Sequence, residues 1–415
     1  MEVKPGYKQT EVGVIPQEWE VKSMRELGQI KTGPFGTLLK AEEYSGREGV
    51  PLISVGEVGA GTFKVTEHTP LVPDAVIRRL PQYVLRTGDI VFGRKGAVER
   101  SALVTEKEDG WFLGSDGISI RPQRICHPPY LACQFQRFEV QAWLLQNAIG
   151  TTMPSLNQGI LNRVQIPYAP LPEQRAIAGA LNEVDALLGA LDQLIAKKRD
   201  LKQAAMQQLL TGNHRLPGFH GEWEVRRLGE LAKIISGGTP KTNEPSYWNG
   251  SIKWCTPTDI TGFSGKYLTE TERTISTEGL VSCSARLLPV GSLLLCSRAT
   301  IGEIRIAGCE ICTNQGFKSL VCLPNVSNEF LYYKLLTMKS EMAERAIGST
   351  FLEISKKETA ALKFPVPPFP EQTAIAAVLT DMDAELAALE ERRAKTRALK
   401  QGMMQELLTG RIRLG

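Results

Sequence analysis

A segment of 42 residues occurs twice in this chain, at residues 171–212 and at residues 369–410, with no insertion or deletion between the copies. Of the 42 aligned pairs, 24 are identical, far more than two unrelated segments would share. Each copy follows a longer stretch of globular composition. A repeat of this length predicts a chain built as two related units, each presenting a similar binding surface.

Both copies have the features of a long amphipathic helix. Pro172 and Pro370 suit the first helical turn, where a missing N–H removes no hydrogen bond, and Gly212 and Gly410 are typical of helix C-terminal ends. Apolar residues recur at spacings of four and three, as a heptad seam: Ile177, Leu181, Val184, Leu188, Leu191 and Ile195, then Ile375, Leu379, Met382, Leu386 and Leu389. We therefore predict two coiled-coil helices, each roughly 60 Å long.

The repeat also includes the start of each unit, since Trp19-Glu20-Val21 is matched by Trp223-Glu224-Val225. By the pattern of the repeat, a third Trp-Glu-Val would be expected after the second helix. The Trp19-Glu20-Val21 near the N-terminus can take that place, so the order of the repeated segments is close to circular. Two units in such a ring close most simply about a pseudo-two-fold axis, with antiparallel helices. The expected fold is α+β: two globular mixed α/β domains separated by two long antiparallel coiled-coil helices, pseudo-two-fold and quasi-circular.

These patterns also give domain boundaries and strands. The expected segments are an N-terminal arm (1–18), a globular domain (19–169), a helical spacer (170–212), a linker (213–222), a second globular domain (223–366) and a second helical spacer (367–415). Short apolar runs bounded by turn residues predict strands at 50–55, 89–92, 117–120, 293–296 and 304–307. Away from this shared framework the two globular parts diverge, as expected if they bind different ligands.

The bulk composition narrows the class of protein. The formal net charge of +4 permits nucleic acid as a partner without requiring it. The sequence has no apolar run long enough for a membrane span, and its polar N-terminus does not resemble a signal peptide. Eight cysteines in 415 residues are typical of reduced thiols, so we expect a cytoplasmic protein.

Two motifs could indicate an enzyme or a metal site. His127-Pro128-Pro129-Tyr130 superficially resembles the Asn-Pro-Pro-Tyr of adenine methyltransferases, but histidine is a poor substitute for its asparagine and no glycine-rich cofactor loop precedes it. We interpret the motif as a helix start. Cys309 and Cys312 have the spacing of zinc ligands, yet a second such pair is missing from the sequence, so buried thiols are the favoured interpretation. No catalytic or metal-binding residue is predicted.

The candidate DNA-binding residues lie in glycine-rich turns, after strands, and just before the helical segments. Basic pairs at strand ends can meet phosphates or a guanine edge, glycines let backbone N–H groups approach phosphate, and Asn or Gln can read adenine. In the first domain they are Lys31, Thr32, Gly33, Arg94, Lys95, Thr152, Asn157 and Gln158. In the second they are Gly238, Thr239, Lys241, Tyr247, Trp248, Thr258, Asp259, Ser297, Arg298, Thr350 and Lys356. Ordinary charged turns and buried aromatic residues are the alternative for each. Basic residues expected on the outer faces of the helices could be solvated, dock a partner or lie near the DNA backbone: Lys197, Lys198, Arg199 and Lys202, then Lys395, Arg397 and Lys400.

Several motifs together resemble one family across essentially the whole chain. They are the segment 7–16 with Trp19-Glu20-Val21, the Pro-Glu-Gln at both helix starts, the Leu-Leu-Thr-Gly-x-x-Arg at both helix ends, and Gly237-Gly238-Thr239-Pro240 with Tyr247-Trp248-Asn249-Gly250. In these residues the chain resembles the specificity subunits of type I restriction–modification systems.

The resemblance implies a function. The two globular parts would be target recognition domains, each reading one half of a split, asymmetric DNA site, and the helices would fix the spacer between the halves. The subunit would be non-catalytic and would hold no cofactor. Two modification subunits would bind S-adenosylmethionine and methylate adenine, and restriction subunits would use ATP and Mg²⁺. Two alternatives stay open: a methyltransferase with duplicated recognition domains, and a coiled-coil adaptor or degenerate copy that does not bind DNA.

Overall fold

The computed structural model describes residues 4–44, 48–150, 152–348 and 352–414. The chain forms two compact units: unit 1 comprises Met1–Leu191 with Arg392–Gly415, and unit 2 comprises Asp192–Glu391. Both mix strands with helices. Among the described residues, no helix is long and apolar enough to cross a membrane.

Unit 1 contains eleven strands in its described part: β1 (Tyr7–Thr10), β2 (Gly13–Pro16), β3 (Glu20–Ser23), β4 (Gly28–Thr32), β5 (Val50–Ile53), β6 (Leu71–Val72), β7 (Ile90–Gly93), β8 (Ser101–Leu103), β9 (Phe112–Leu113), β10 (Gly117–Pro122) and β11 (Gln165–Tyr168). Its helices are α1 (Met24–Leu27), α2 (Asp74–Arg79), α3 (Pro128–Phe135), α4 (Phe138–Asn147), α5 (Gln158–Asn162) and the first part of α6 (Leu171–Leu209).

The centre of unit 1 is an antiparallel sheet of order β4-β10-β7-β8. All four residues of β7 are buried, as expected for a continuous apolar run in a central strand. Phe92 packs edge-to-face on Phe135 of α3, with ring centroids 4.8 Å apart, and both rings are fully buried. A second sheet, β6-β5-β9, includes the parallel pair β5–β9. The predicted strands at 50–55, 89–92 and 117–120 are therefore confirmed.

Unit 2 repeats this plan with its own strands: β12 (Glu224–Arg227), β13 (Ala232–Ser236), β14 (Trp248–Cys255), β15 (Tyr267–Leu268), β16 (Arg273–Ile275), β17 (Leu293–Leu295), β18 (Ile304–Ala307), β19 (Cys312–Thr313), β20 (Lys318–Cys322) and β21 (Lys363–Val366). Its helices are α7 (Pro257–Gly262), α8 (Thr277–Val281), α9 (Asn328–Leu336), α10 (Lys339–Glu344), α11 (Lys356–Ala361) and the first part of α12 (Phe369–Leu407). The sheets are β13-β20-β17-β18-β15 and β16-β14-β19. The predicted strands at 293–296 and 304–307 are confirmed.

The two repeated segments form helices of 39 residues each, α6 and α12. In unit 2, Lys198 contacts Glu385 at 2.6 Å and Arg199 contacts Glu390 at 2.5 Å, while Lys202 pairs with Asp383. In unit 1, Lys400 contacts Asp185 at 2.6 Å. Within each unit the start of one helix packs beside the end of the other, so the segments run antiparallel. These four basic residues therefore bind carboxylates of the neighbouring helix.

The repeated sequence motifs meet in a Trp–Glu–Arg cluster, one in each unit. In unit 1, the indole of Trp19 donates to Glu173 Oε2 at 2.9 Å, and Arg413 donates to both oxygens of Glu173 at 2.6 and 2.9 Å. Because these hydrogen bonds favour the charged guanidinium, the pKa of Arg413 rises above its usual value. The equivalent residues of unit 2 are Trp223, Glu371 and Arg215, with contacts of 2.5 to 3.2 Å.

The glutamine of each Pro-Glu-Gln motif fixes the helix start to its own domain. Gln174 accepts from the backbone N–H of His127 at 2.8 Å and donates to the carbonyl of Ala169. Gln372 accepts from Ser327 N–H at 2.9 Å and donates to the carbonyl of Pro367. His127 thereby stands at the start of α3, which confirms the interpretation of His-Pro-Pro-Tyr as a helix start.

Candidate nucleic-acid interface

In unit 1, most of the candidate residues gather where two sheet strands end. Lys31 and Thr32 close β4, and Arg94 and Lys95 follow β7 directly. The segment before α5 is held against both strand ends: Leu156 N–H donates to the carbonyl of Arg94 at 2.8 Å. The amide of Gln158 donates to Thr32 Oγ1 at 3.1 Å. We call Lys31, Thr32, Arg94, Lys95 and Gln158 the unit 1 cluster.

The cations of the unit 1 cluster differ in their partners. Lys95 contacts Asp116 at 3.2 Å, and Lys31 donates to the carbonyl of Gln82 at 3.1 Å. The guanidinium of Arg94 lies 5.4 Å from the ring centre of Phe35, which is 58% exposed. No carboxylate pairs with Arg94 within the described residues. A cation on an exposed aromatic face is suited to contact phosphates or stacked bases.

Phe35 was missing from the residues predicted from sequence. It belongs to the turn Gly33-Pro34-Phe35-Gly36, and an aromatic residue in a glycine-rich turn was the available signal. Other predicted residues have local structural roles. A Cβ on Gly33 would lie 1.8 Å from the carbonyl oxygen of Gly114, so this glycine lets two backbones pack. Asn157 caps α5 by accepting from Ile160 N–H at 2.9 Å. Thr152 lies exposed in a bend.

The equivalent strand end in unit 2 has different chemistry. Arg298 follows β17, as Lys95 follows β7, and donates to Glu353 at 2.6 Å. The buried Lys318 binds the other oxygen of Glu353 at 2.9 Å and contacts the hydroxyl of the buried Ser297 at 3.4 Å. Although burial opposes it, hydrogen bonding to Lys318 and Arg298 lowers the pKa of Glu353. Here the two cations share the single negative charge of Glu353. Lys356 is exposed at the start of α11.

The glycine-rich turn of unit 2 packs on two indoles. Trp254 donates to the carbonyl of Gly238 at 2.9 Å, and Trp248 donates to the carbonyl of Lys241 at 3.1 Å. Thr239 donates to the side chain of Gln315, which is exposed. Trp248 and Trp254 are both buried. Little of the Trp248 ring is therefore exposed for the direct DNA contact that was predicted for it. They form the base of this turn.

The remaining predicted residues of unit 2 lie around the same turn and in α7. The carbonyl of Tyr247 accepts from Ser276 N–H at 3.0 Å. Asp259 accepts from the backbone of Thr256 at 2.7 Å and of Glu272 at 2.8 Å, which is a helix-capping role. Thr258 is exposed on α7. Thr350 lies outside the described residues.

The cysteines of the Cys-x-x-Cys motif have backbone partners. Cys312 contacts the carbonyl of Lys253 at 3.2 Å, and burial raises its pKa to about 12. Cys309 contacts the carbonyl of Thr269 at 3.4 Å. The thiol of Cys312 therefore stays protonated near neutral pH, whereas a zinc ligand is a thiolate.

The two units share one architecture, and each has cations and aromatic side chains in the loops at its strand ends. These features define the class as a two-domain protein suited to binding nucleic acid. The model of the family described as type I restriction modification DNA specificity domain matches residues 16–197 and again residues 220–397. The chain belongs to this family and carries two copies of its domain.

Individual relatives agree with the family model. The type I restriction enzyme MjaVIII specificity subunit of Methanocaldococcus jannaschii is 24% identical over 423 residues, which cover 96% of this chain and 94% of the relative. The MjaIX specificity subunit of the same organism is 36% identical over 164 residues, 39% of this chain and 38% of the relative. The crystal structure of the type I restriction–modification S subunit from M. genitalium covers 98% of both chains with a TM-score of 0.59 at 16% identity, which shows a shared fold.

Proposed function

We propose that this chain is the non-catalytic specificity subunit of a type I restriction–modification enzyme and reads a bipartite, asymmetric DNA site, one half-site per unit. The observation that carries the proposal is the pair of DNA specificity domains on one chain. Their equivalent strand ends differ: unit 1 presents Arg94 on Phe35, while unit 2 pairs Arg298 with Glu353. Unlike surfaces on a common framework would read unlike half-sites, and the site would then be asymmetric.

We further propose that α6 and α12 set the gap between the half-sites as an antiparallel, pseudo-two-fold coiled coil that makes the chain quasi-circular. Each helix of 39 residues is about 58 Å long at 1.5 Å per residue. Half-sites on one face of the duplex repeat about every 34 Å, so helices of this length suffice. The ion pairs between the helices, such as Lys198 with Glu385, would fix their register.

The partners follow from the same proposal. Two modification subunits would bind this chain and supply S-adenosylmethionine for adenine methylation. Restriction subunits would join with ATP and Mg²⁺. The complex would act in the cytoplasm. Support comes from the family, which is described as a DNA specificity domain of type I restriction modification.

The test is to co-express the full chain with its modification subunit and to map N6-methyladenine across the host DNA by single-molecule sequencing. We expect one bipartite, asymmetric motif with a fixed gap. Co-expression of the modification subunit alone is the control. Two results would contradict the proposal: methylation without sequence specificity, or no methylation although the modification subunit is active. Either would indicate that the chain is an adaptor or a degenerate copy.

A further inference from the structure

Arg273 of unit 2 lies on an aromatic platform. It belongs to β16, which pairs with β14, and Arg273 is the register partner of Trp254. Its guanidinium carbon is 3.7 Å from the ring centre of Trp248 and 5.4 Å from that of Trp254. The two indoles pack edge-to-face, with centroids 5.1 Å apart and an interplanar angle of 85°. An arginine this close to an indole face has a strongly favourable cation–π contact.

The platform beneath Arg273 is rigid. Trp248 is 9% exposed and Trp254 is 3% exposed. Both indole N–H groups are bonded to carbonyls of the glycine-rich turn, at Lys241 and Gly238. A Cβ on Gly238 would lie 2.5 Å from the backbone nitrogen of Ala285, so the turn itself is closely packed. Because the surface below cannot move freely, Arg273 loses little further freedom when it contacts a ligand.

The donors of Arg273 remain available. Stacking uses the face of a guanidinium, whereas its five N–H donors point outward in its plane. Arg273 is exposed, and within the described part of the chain no carboxylate lies within ion-pair distance of it. Two other cations of unit 2 differ in this respect: Lys253 is paired with Glu270 and Arg298 with Glu353. Arg273 is thus an exposed guanidinium that lies on two packed indoles and has its donors free of carboxylate partners in the described residues.

We propose that Arg273 determines specificity in unit 2 by reading one guanine of the half-site bound there. Guanine presents O6 and N7 side by side in the major groove, and arginine pairs with both acceptors at once. This inference rests on the proposed function and adds the residue and the base. On this proposal unit 2 reads the guanine from β16, while the guanidinium of Arg298 is held by Glu353.

The test uses the full chain with its modification subunit and the same methylation mapping. The variants are Arg273→Lys, which keeps the charge but loses the fork, and Arg273→Ala. Arg286→Ala is the matched control, because Arg286 is an exposed arginine of the same unit. We expect both Arg273 variants to lose discrimination at one guanine of one half-site by about tenfold or more, with the other half-site unchanged. The control should keep the wild-type motif.

Several outcomes would overturn the inference. An unchanged motif in both variants at wild-type methylation rates means that Arg273 does not read a base. A uniform fall in methylation that lysine restores, with the motif intact, assigns Arg273 to a phosphate. Lower thermal stability with an intact motif assigns it to packing alone. A wild-type complex without a bipartite motif rejects the proposed function together with the inference, whereas a bipartite motif insensitive to Arg273 rejects the inference only.

Discussion

In unit 2, single carboxylates each bind two side chains and so hold separate segments together. Glu371 is 1% exposed and holds both Arg215 and the indole of Trp223, which lie 156 and 148 residues earlier in the chain. Glu353 similarly holds Arg298 and Lys318. A buried carboxylate is stable only with such partners, so removing one partner leaves an uncompensated charge.

Replacing Arg215 with Met should clearly lower the stability of unit 2, because Glu371 would stay buried without its cation. Urea unfolding followed by tryptophan fluorescence measures the change. The matched control is Arg226→Met, since Arg226 contacts Glu230 at 3.9 Å on the surface and should contribute about 0.5 kcal/mol or less. The double variant Arg215→Met, Glu371→Gln should recover part of the loss. Equal effects of Arg215→Met and Arg226→Met would contradict this account.

The depressed pKa of Glu353 predicts a pH dependence. The folded state favours its ionised form, so its contribution is fully present above the unfolded value of about 4.5 and is lost as pH falls through the lower folded pKa. Glu353→Gln should therefore destabilise unit 2 most above pH ~4.5, and the difference from wild type should shrink below it. Urea midpoints between pH 3.5 and 7 test this. A difference that stays constant with pH would show that ionisation of Glu353 contributes nothing.

At the scale of elements, the two long helices end in the same way. Three residues beyond each helix, Gly212 has φ of +76° and Gly410 has φ of +71°, a conformation that favours glycine. The surroundings of the two glycines differ. A Cβ on Gly212 would lie 3.3 Å from the ring of Trp223, while one on Gly410 would lie 2.5 Å from Pro16.

These glycines give a graded prediction. Gly212→Ala should destabilise by about 1–2 kcal/mol through backbone strain, and Gly410→Ala by more, because Pro16 must also move. Gly402→Ala is the opposite control: Gly402 lies inside α12 with nothing within 4 Å of its Cβ position, so alanine should stabilise by up to about 1 kcal/mol. Thermal unfolding of the three variants measures the order. Loss of stability in Gly402→Ala would refute this interpretation of α12.

Some secondary-structure elements could be predicted from the sequence, whereas contacts between strands could not. The strand Ile90–Gly93 was predictable because a continuous apolar run must be buried, and Ile304–Ala307 because its apolar residues, interrupted only by Arg305, are bounded by turn residues. The glycine stops were predictable from their residue type. The stacking of Arg273 on Trp248 was not, because it depends on the pairing of β14 with β16, and β14 contains a register shift between Trp248 and Ile252. Side chains from separate strands meet through register, which spacing in one sequence does not define.

At the scale of the whole molecule, the proposed coiled coil should act as a ruler. Seven residues inserted after Ala190 and another seven after Ala388 keep the heptad seam and lengthen both helices by about 10.5 Å. At about 3.4 Å per base pair, the gap between half-sites should grow by about three base pairs. Methylation mapping reads the new gap directly.

A single insertion is the control for the ruler. Seven residues after Ala190 alone would shift α6 against α12 and separate pairs such as Lys198 with Glu385. That variant should lose stability and bipartite methylation. A double insertion that leaves the gap unchanged would show that the helices do not set it.

The division into units constrains the order in which the chain can fold during synthesis. Unit 2 is one continuous segment, whereas unit 1 needs residues from both sides of it, including Arg413 for the bond to Glu173. All of unit 2 is therefore synthesised before the last part of unit 1. Until Arg413 is synthesised, Glu173 can accept from Trp19 but has no bond to that cation. The domain whose synthesis begins first is therefore the domain that is completed last.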